Sequence, residues 1–312
     1  MVLLSLEKIN ELASFGVDKF TPLFHDSVYS GQKSVRVDTT ESNGLPSLAG
    51  YVRKILLYSD NNASNRLYEF LGQRQIQQQL RNKDYNIRII HRLSRNASAD
   101  ENRHTEAIRF IRNDSLLYSQ PMLVNPDSIR PTRIVKKGIG YMDGDSLIHE
   151  PFDFTYKNSF PLEEQQEILK ALIFPEDVKS EKRFNLLQND RTFILQYMSQ
   201  VPAEGPSGKL LMFGGDEMPI PEHIKIFSKT GGAYGYLIDN AYIVDLDTGV
   251  EFLLSAVIHT NRDGIYNDDR YEYETEGYPF MRNLGQLIYD HELQRKRTTK
   301  ADLTEFNLKY NR

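Results

Sequence analysis

The feature that most constrains the fold is the spacing of apolar residues, which is helical before about residue 200 and strand-like after it. Val2, Leu6 and Ile9 fall at helical spacing, and SLAGYVRKILLY and NRLYEFLG continue the pattern. After a Gly- and Pro-rich segment, HIKIFSKTGG, AYGYLIDNAYIVD and VEFLLSAVIHTN are β-rich, and DLDTG joins the last two as a hairpin turn. The chain closes with the amphipathic helix PFMRNLGQLIYDHELQRK. This order predicts an α/β (α+β sandwich) fold, with a mainly helical domain at 1–205 and a sheet domain with a closing helix at 206–312.

Composition and charge exclude several classes of protein. The 312 residues carry a formal net charge of −5 and no Lys/Arg stripe interleaved with aromatic residues, so no nucleic-acid partner is predicted. No apolar run approaches ~18 residues, which predicts no membrane span, and the amphipathic start MVLLSLEKINEL predicts no signal peptide in this chain. The absence of cysteine excludes disulfides, zinc–thiolate sites and a cysteine nucleophile. Seven scattered histidines show no metal-ligand spacing, so neither a metal nor a cofactor is predicted.

A polar interruption breaks the helical pattern within LLYSDNNASNRLYEFLG, residues 56–72. It follows the pattern Ser-Asp-Asn-x-Ala-x-Asn-x-Leu, which begins at Ser59. Near the other end of the chain, Lys229-Thr230-Gly231 closes the apolar strand HIKIF. Taken separately, the first segment is also consistent with an N-cap for the following helix, and the second with an ordinary strand end.

Together the two segments resemble the second and third motifs of the serine β-lactamase and penicillin-binding protein superfamily. The resemblance extends over the helical region, the Lys-Thr-Gly strand, the hairpin and the C-terminal helix. It implies a β-lactamase/transpeptidase-like fold with a helical domain beside an antiparallel sheet flanked by helices, here without the family's first strands. It also implies a serine hydrolase that transfers acyl groups from β-lactam or D-Ala-D-Ala-like amides, so the implied partner is a small-molecule β-lactam or a peptidoglycan-like substrate.

The resemblance assigns a role to each residue of the Ser-Asp-Asn segment. Acyl transfer needs a nucleophile, a proton route to the leaving nitrogen and donors for the oxyanion. Ser59 would relay the proton, and the Lys229 ammonium beside it would favour the negatively charged transition state. We therefore expect both side chains to face one cleft. Asn61 would offer its amide to the carbonyl of the substrate side chain, whereas Asp60 would tie the loop together.

The Lys-Thr-Gly strand completes the implied substrate site. Thr230 would donate a hydrogen bond to the substrate carboxylate. Gly231 would leave space where the substrate lies along the strand, and the backbone N–H of Gly232 would be one oxyanion donor.

The family's first motif, Ser-x-x-Lys at the start of a buried helix, is not found at the implied distance. Counting back from Ser59 by the family's spacing places the nucleophile before Met1. We therefore expect an N-terminally truncated form, inactive by itself, of a longer periplasmic or secreted protein. Ser5 and Lys8 fit the letters of the motif, but we expect both to lie on a solvated polar face with Glu7.

The glutamate with which class A β-lactamases activate the deacylating water is also missing. Arg95-Asn96 stands near its expected place, and the nearby Asp100 and Glu101 lack the family's Glu-x-x-x-Asn spacing. Two functions stay open. One is a serine acyl-transfer enzyme that is complete only in a longer form, and the other is a catalytically inactive module that binds peptidoglycan-like ligands in the same cleft.

Two further stretches resemble functional motifs less closely. GGDEM at residues 214–218 is one letter from a diguanylate cyclase signature, but Pro219 follows at once and no metal-binding stretch precedes it. We expect a polar turn there. NRDGIYNDDRYEYETEGY, which starts at Asn261, resembles a calcium loop but lacks the Gly and Glu positions of an EF-hand, so we expect a structured loop.

Overall fold

The computed structural model describes residues 1–29, 31–131, 133–201, 211–213 and 220–310. The chain divides into two compact units, each assembled from separate parts of the sequence. The first comprises Met1–Ile129, Asn158–Glu164 and Phe174–Ile194, and the second comprises Arg130–Lys157, Gln165–Ile173 and Leu195–Arg312. The boundary predicted between residues 205 and 206, and the GGDEM stretch at 214–218, lie outside the described residues.

Eight α-helices lie in the described part of the chain. The first four are Val2–Glu11 (α1), Leu48–Tyr58 (α2), Asn61–Leu71 (α3) and Gln73–Asn82 (α4). The other four are Ala99–Arg103 (α5), Leu162–Ile173 (α6), Gln188–Ser199 (α7) and Tyr278–Gln294 (α8). Helices α1, α2, α3 and α8 coincide with the helical patterns of the sequence. Within the same residues, no helix combines the length and the apolar character needed to cross a membrane.

The strands form four small sheets within the described residues. Strands β1 to β7 are Leu23–Asp26, Ala107–Arg112, Ser115–Gln120, Lys136–Lys137, Gly140–Asp143, Ser146–Ile148 and Phe152–Asp153. Strands β8 to β11 are Ile224–Ala233, Tyr236–Asp245, Val250–His259 and Ile265–Tyr266. The sheet orders are β1-β2-β3, β10-β9-β8, β11-β5-β6 and β4-β7, and the β8–β10 sheet is antiparallel as predicted. The predicted mixed α/β fold class, with a three-stranded antiparallel sheet before the last helix, is confirmed.

The sequence does not predict strands β1 to β7. They lie before residue 154, where the apolar spacing indicates helices with long connections. They are short, from six residues in β2 to two in β7, so their alternation covers too few positions to distinguish a strand from a connecting loop. The expectation that residues 1 to about 200 are mainly helical is corrected in this respect.

A buried ion pair fixes helix α3 in the first unit. Glu69 on α3 and Arg92 are almost fully buried and are joined at 2.6 Å. The other oxygen of Glu69 accepts the backbone N–H of Glu106 at 2.7 Å, and Arg92 also donates to the carbonyl of His104 at 2.7 Å. Burial raises the pKa of Glu69, and the charge of Arg92 opposes that rise. Both partners are bound to the backbone as well as to each other. These bonds hold α3, the helix that follows the Ser-Asp-Asn segment, against the backbone of residues 104–106.

In the second unit, α8 packs on one face of the β8–β10 sheet. Ile226, Ile243 and Met281 are among the buried residues of this core. Helix α8 approaches the turn at residues 211–213 so closely that a Cβ on Gly285 would stand 1.7 Å from the carbonyl oxygen of Met212. Glycine at this position therefore permits the contact between the helix and the turn.

Candidate functional site

Two backbone conformations break the helix at the Ser-Asp-Asn segment. Helix α2 ends at Tyr58, and Ser59 then adopts φ 55° and ψ 36°, a left-handed conformation that costs a non-glycine residue about 1 kcal/mol. Asp60 is extended, and its side chain accepts the N–H of Ala63 at 2.8 Å, which caps α3. The exposed Ser59 is thereby turned out of the helical path, while Asp60 holds the start of the next helix.

The start of α3 is fastened to residues 93–94. The side-chain amide of Asn61 donates to the hydroxyl of Ser94 at 2.7 Å. One turn further on, the side chain of Asn65 accepts the N–H of Leu93 at 2.8 Å and donates to its carbonyl at 3.0 Å. The amide that the resemblance assigns to the substrate therefore has a protein partner, Ser94, which the sequence does not predict.

The two carboxylates downstream of the segment have structural partners. Glu101 and Ser98 form a reciprocal capping box at the start of α5: the Glu101 carboxylate accepts the Ser98 N–H at 2.7 Å, and the Ser98 hydroxyl accepts the Glu101 N–H at 3.1 Å. The Ser98 amide lowers the pKa of Glu101. Asp100 accepts a hydrogen bond from the hydroxyl of Tyr29. Both acids are thus engaged in holding local structure.

The expectation that Ser5 and Lys8 lie on a solvated face is wrong. Ser5 is 0% exposed and Lys8 only 8%. The Lys8 ammonium donates to the carbonyl of Phe70 at 2.5 Å and to the side-chain oxygen of Gln120 at 2.6 Å. A lysine can be buried in this way because acceptors replace the water that its ammonium loses. Burial lowers the pKa of Lys8 to about 8, whereas Glu7 is half-buried.

The same burial argues against Ser5 as a nucleophile. A serine nucleophile must reach the substrate and needs an adjacent group that accepts its proton. The Ser5 hydroxyl is enclosed and has no hydrogen-bond partner among the described residues. Lys8 donates to three oxygen acceptors, on Phe70, Gln75 and Gln120, so it acts there as an ammonium and not as a base.

The Lys-Thr-Gly residues lie on β8, which is an edge strand in the sheet that the described residues form. In the antiparallel register with β9, Lys229 is opposite Asn240 and Thr230 is opposite Asp239. Lys229 is half-buried, and its ammonium donates to the carbonyl of Thr230 at 2.7 Å. Burial lowers the pKa of Lys229 to about 8, while the charge of Asp239 acts in the opposite direction.

The two glycines that follow differ in their surroundings. A Cβ on Gly231 would lie 3.2 Å from the side chain of its cross-strand neighbour Ile238, a contact that needs adjustment. A Cβ on Gly232 would make only an ordinary contact, 3.7 Å from the side chain of Leu237. Packing within the sheet therefore favours glycine at position 231, whereas the exposed Gly232 leaves the strand backbone uncovered.

Asp239 is a residue of this region that the sequence analysis missed. Its side chain is fully buried, one oxygen accepts the N–H of Met212 at 3.3 Å, and the other has no hydrogen-bond partner within the described ranges. Burial raises the pKa of Asp239 to about 7, against the opposing effect of backbone N–H groups and of Lys229. The available signal was the polar pair Asp239-Asn240 inside the apolar run AYGYLIDNAYIVD.

The two segments belong to different units of the chain. Ser59, Asp60 and Asn61 lie in the first unit, and the strand with Lys229 and Thr230 lies in the second. The expectation that Ser59 and Lys229 face one cleft stays a prediction. In the residues that the structure covers, no group of three or more histidine or carboxylate side chains is arranged to hold a metal ion.

Comparison with known proteins finds similar solved structures. No protein-family model and no curated protein matches the chain. A β-lactamase from Sphaerobacter thermophilus DSM 20745 is 14% identical, with 93% of this chain and 80% of that chain covered and a TM-score of 0.47. A β-lactamase from Xanthomonas campestris pv. campestris str. ATCC 33913 is 14% identical, with 92% of this chain and 81% of that chain covered and a TM-score of 0.48. A β-lactamase from Burkholderia vietnamiensis is also 14% identical, with 93% of this chain and 80% of that chain covered and a TM-score of 0.48.

Proposed function

We propose that the chain carries the Ser-Asp-Asn and Lys-Thr-Gly elements of a β-lactamase-like serine hydrolase, which acts by acyl transfer on β-lactam or D-Ala-D-Ala-like amides. The observation that carries the proposal is strand β8, the last strand of its sheet among the described residues, on which the half-buried Lys229 and Thr230 precede two glycines. An amide substrate can align along an extended strand by main-chain hydrogen bonds, with the side chains of the strand beside it.

The charge on β8 supports a substrate that carries a carboxylate. The ammonium of Lys229 is partly withdrawn from water, which strengthens its attraction for an anion. A pKa of about 8 leaves most of this ammonium charged at neutral pH. The hydroxyl of Thr230 is a further donor of the kind that carboxylates accept.

The Ser-Asp-Asn segment supports a role in proton transfer and orientation. The exposed Ser59 carries a hydroxyl at a fixed turn, as a residue that passes a proton to a leaving nitrogen requires. The side-chain amide of Asn61 would donate to the substrate carbonyl. It would do so either with its second N–H or by giving up its hydrogen bond to Ser94. We propose that this segment and β8 act on the same substrate.

A second candidate is a catalytically inactive module that binds the same class of ligand. The burial of Ser5 and the engagement of Lys8 favour it for this chain, because they remove the serine that fits the letters of the family's first motif. Lys229, Thr230 and the backbone of β8 would still bind a carboxylate-bearing amide, with a dissociation constant on the order of millimolar.

Binding of benzylpenicillin to the 312-residue chain, followed by NMR chemical shifts, tests the recognition that both candidates share. We expect Lys229→Ala to weaken binding at least about tenfold, the scale of one lost charge-assisted hydrogen bond. Lys225→Ala is the matched control, because Lys225 lies on the same strand and packs over the ring of Tyr310. Equal binding by wild type and Lys229→Ala would contradict the proposal.

Covalent labelling separates the enzyme from the binding module. In a longer form of the protein that carries a Ser-x-x-Lys serine, we expect Lys229→Ala to slow acylation by a fluorescent penicillin by ~10²-fold or more, the scale of a lost electrostatic stabiliser. Reversible binding without labelling in that form would favour the module. Such substrates would be met in the periplasm or outside the cell, so the proposal includes that location, which cell fractionation would test.

A further inference from the structure

Strand β10 has a free edge along its whole length. Its ten residues, Val250–His259, pair on one side with β9, residue for residue and without a bulge. On its other side β10 makes no backbone hydrogen bond within the described ranges, where it is the last strand of its sheet. Alternate N–H and C=O groups of such a strand point away from its one neighbour. The free edge of β10 therefore presents main-chain donors and acceptors to a further strand.

The sequence of β10 lacks the features with which proteins usually protect an edge strand. Protected edges are commonly short or carry a proline, a lysine or a bulge. VEFLLSAVIH contains no proline, lysine or arginine, and its register with β9 is unbroken. Its single carboxylate, Glu251, accepts the hydroxyl of Tyr242 on β9. An edge of this length and composition favours pairing with another strand.

Helix α8 lies over β10, and one flank of the helix faces β9. The helix packs against β10. On the flank that faces β9, Gly285 meets the carbonyl of Met212, whose N–H is bonded to Asp239 of β9 at 3.3 Å. On the same flank, the hydroxyl of Tyr289 donates to Asp245 of β9 at 2.6 Å. These contacts fix the direction in which the remaining side chains of α8 point.

The other flank of α8 carries exposed apolar side chains. Leu287 is two residues from both Gly285 and Tyr289, which is about 200° around a helix that turns about 100° per residue. Phe280 is two turns before Leu287, so it lies on the same flank. Phe280 is 40% exposed and Leu287 is 66% exposed. Because α8 lies over β10, this outer flank overhangs the space beside the free edge.

The two faces of β10 differ in polarity at the centre of the strand. On the face toward α8 the side chains are apolar, and they are Phe252, Leu254, Ala256 and Ile258. On the opposite face the Ser255 hydroxyl donates to the side chain of Asn240 and accepts Gln166 of α6 at 3.2 Å. A strand placed beside β10 would therefore need apolar side chains at every second position, on the side of α8.

We propose that the free edge of β10 is an interaction surface for an extended segment of a partner polypeptide, which adds to the sheet as a further strand. Main-chain hydrogen bonds to β10 supply the affinity, and alternate apolar side chains of the segment pack beneath Phe280 and Leu287. The surface is at the opposite end of the sheet from β8. The proposal is thus independent of the function proposed for the Lys-Thr-Gly strand.

A second copy of the chain fits this surface less well than a single extended segment does. Two β10 strands paired with each other would lie about 4.8 Å apart. The α8 helix that packs on each strand would then need the same space, because packed helices lie about 8 to 10 Å apart. A segment that brings no helix to this face avoids the overlap.

Amide hydrogen exchange of the full chain, followed by NMR, tests the proposal. The probe is a nine-residue peptide that alternates valine and threonine. In the free chain, alternate amides of β10 should exchange at least about tenfold faster than their neighbours. We expect the peptide to slow these amides, with a dissociation constant on the order of 1 mM or lower. The same peptide with proline at its central valine should not slow them, because proline breaks the ladder.

Two leucines of α8 provide matched variants. Leu287→Gln should raise the dissociation constant of the peptide about fivefold, since it removes apolar surface from the outer flank. Leu293→Gln should leave it unchanged, because Leu293 is 43% exposed on another side of the same helix. Equal binding by wild type and Leu287→Gln would show that the flank does not contact the segment.

Three other results would overturn the proposal. The first is the absence of any slowing in β10 with the peptide, and the second is slowing confined to other parts of the chain. The third is a dimer, detected by sedimentation equilibrium of the chain alone, in which the alternate amides of β10 are already protected. That dimer would assign the free edge to a second copy of the chain, whereas a monomer with fast exchange at these amides agrees with the proposal.

Discussion

The carbonyl oxygen of Met212 occupies the space beside Gly285, where a Cβ would stand only 1.7 Å away. Helix α8 and the turn at residues 211–213 consequently meet through backbone atoms, which cannot adjust as a flexible side chain can. The N–H of the same Met212 donates to Asp239 at 3.3 Å. A single glycine on α8 thus sets the position of a turn that holds the buried carboxyl next to the Lys-Thr-Gly strand.

Adding a methyl group at position 285 should destabilise the second unit. We expect Gly285→Ala to lower the free energy of unfolding by about 2 kcal/mol, because overpacking against backbone outweighs the gain in helix propensity. Urea titration measures the effect. Gly50→Ala on α2 is the matched control, since its new Cβ would meet, at 2.8 Å, a carboxylate oxygen of Glu41 at the end of a flexible side chain. Equal losses in both variants would contradict the explanation.

Asp239 should make the protein less stable as pH rises. Its folded pKa of about 7 lies above the ordinary value of 3.8, so its contribution to stability is complete below about pH 4 and is lost as pH rises to about 7. We expect Asp239→Asn to gain stability relative to wild type by up to about 1.4 kcal/mol per pH unit across that window. Urea titrations at about pH 5 and about pH 7 measure the difference.

Asp245→Asn is the control for the pH effect. The pKa of Asp245 is lowered, mainly by the hydroxyls of Tyr289 and Thr248 acting against burial, so this carboxyl keeps its charge throughout the window. The stability difference between Asp245→Asn and wild type should therefore be the same at both pH values. A constant difference for Asp239→Asn as well would contradict the assigned pKa.

Removing Arg92 should destabilise the first unit far more than removing an exposed arginine. Arg92→Met would leave the buried carboxylate of Glu69 without its counter-charge, and we expect a loss of about 3 to 5 kcal/mol. Arg112→Met breaks an exposed pair with Asp18 at 2.8 Å and should cost less than about 1 kcal/mol. The double variant Glu69→Gln with Arg92→Met should recover part of the loss. Similar unfolding free energies for the two single variants would contradict the expectation that the buried ion pair contributes more to stability than the exposed one.

The 312-residue chain should form no covalent adduct with a β-lactam. Ser5 is enclosed in the first unit and cannot reach a ligand. To activate Ser5, Lys8 would have to accept its proton, but the Lys8 ammonium donates to oxygen acceptors. In the proposed function Ser59 would pass a proton to the leaving nitrogen, a role that differs from that of the nucleophile. Intact mass spectrometry after incubation with benzylpenicillin measures this, with the reversible binding seen by NMR as the control for a folded protein. An added mass mapped to Ser5 or Ser59 would show the prediction to be wrong.

The local form of the candidate site was predictable because it depends on neighbouring residues. A polar triplet between two apolar helical patterns indicated a break, and the break occurs at Ser59 and Asp60. The hairpin turn and the strand that carries Lys229 were likewise evident from alternation and from the turn residues. The bond between Asn61 and Ser94 was not, because it joins positions 33 residues apart through a loop without a repeating pattern.

The sequence by itself determined the order of strands β8 to β10 and helix α8, and the break between α2 and α3, since spacing, caps and turns act over a few residues. It did not predict the two-residue strand β11, which lies in a stretch expected to be a loop. Only the tertiary structure decided which polar side chains are buried. Lys8 is enclosed by acceptors 62 and 112 residues away, and Asp239 by the N–H of a residue 27 positions earlier. A polar residue on a helix or strand is as compatible with water as with such partners, and its burial depends on whether distant backbone groups reach it.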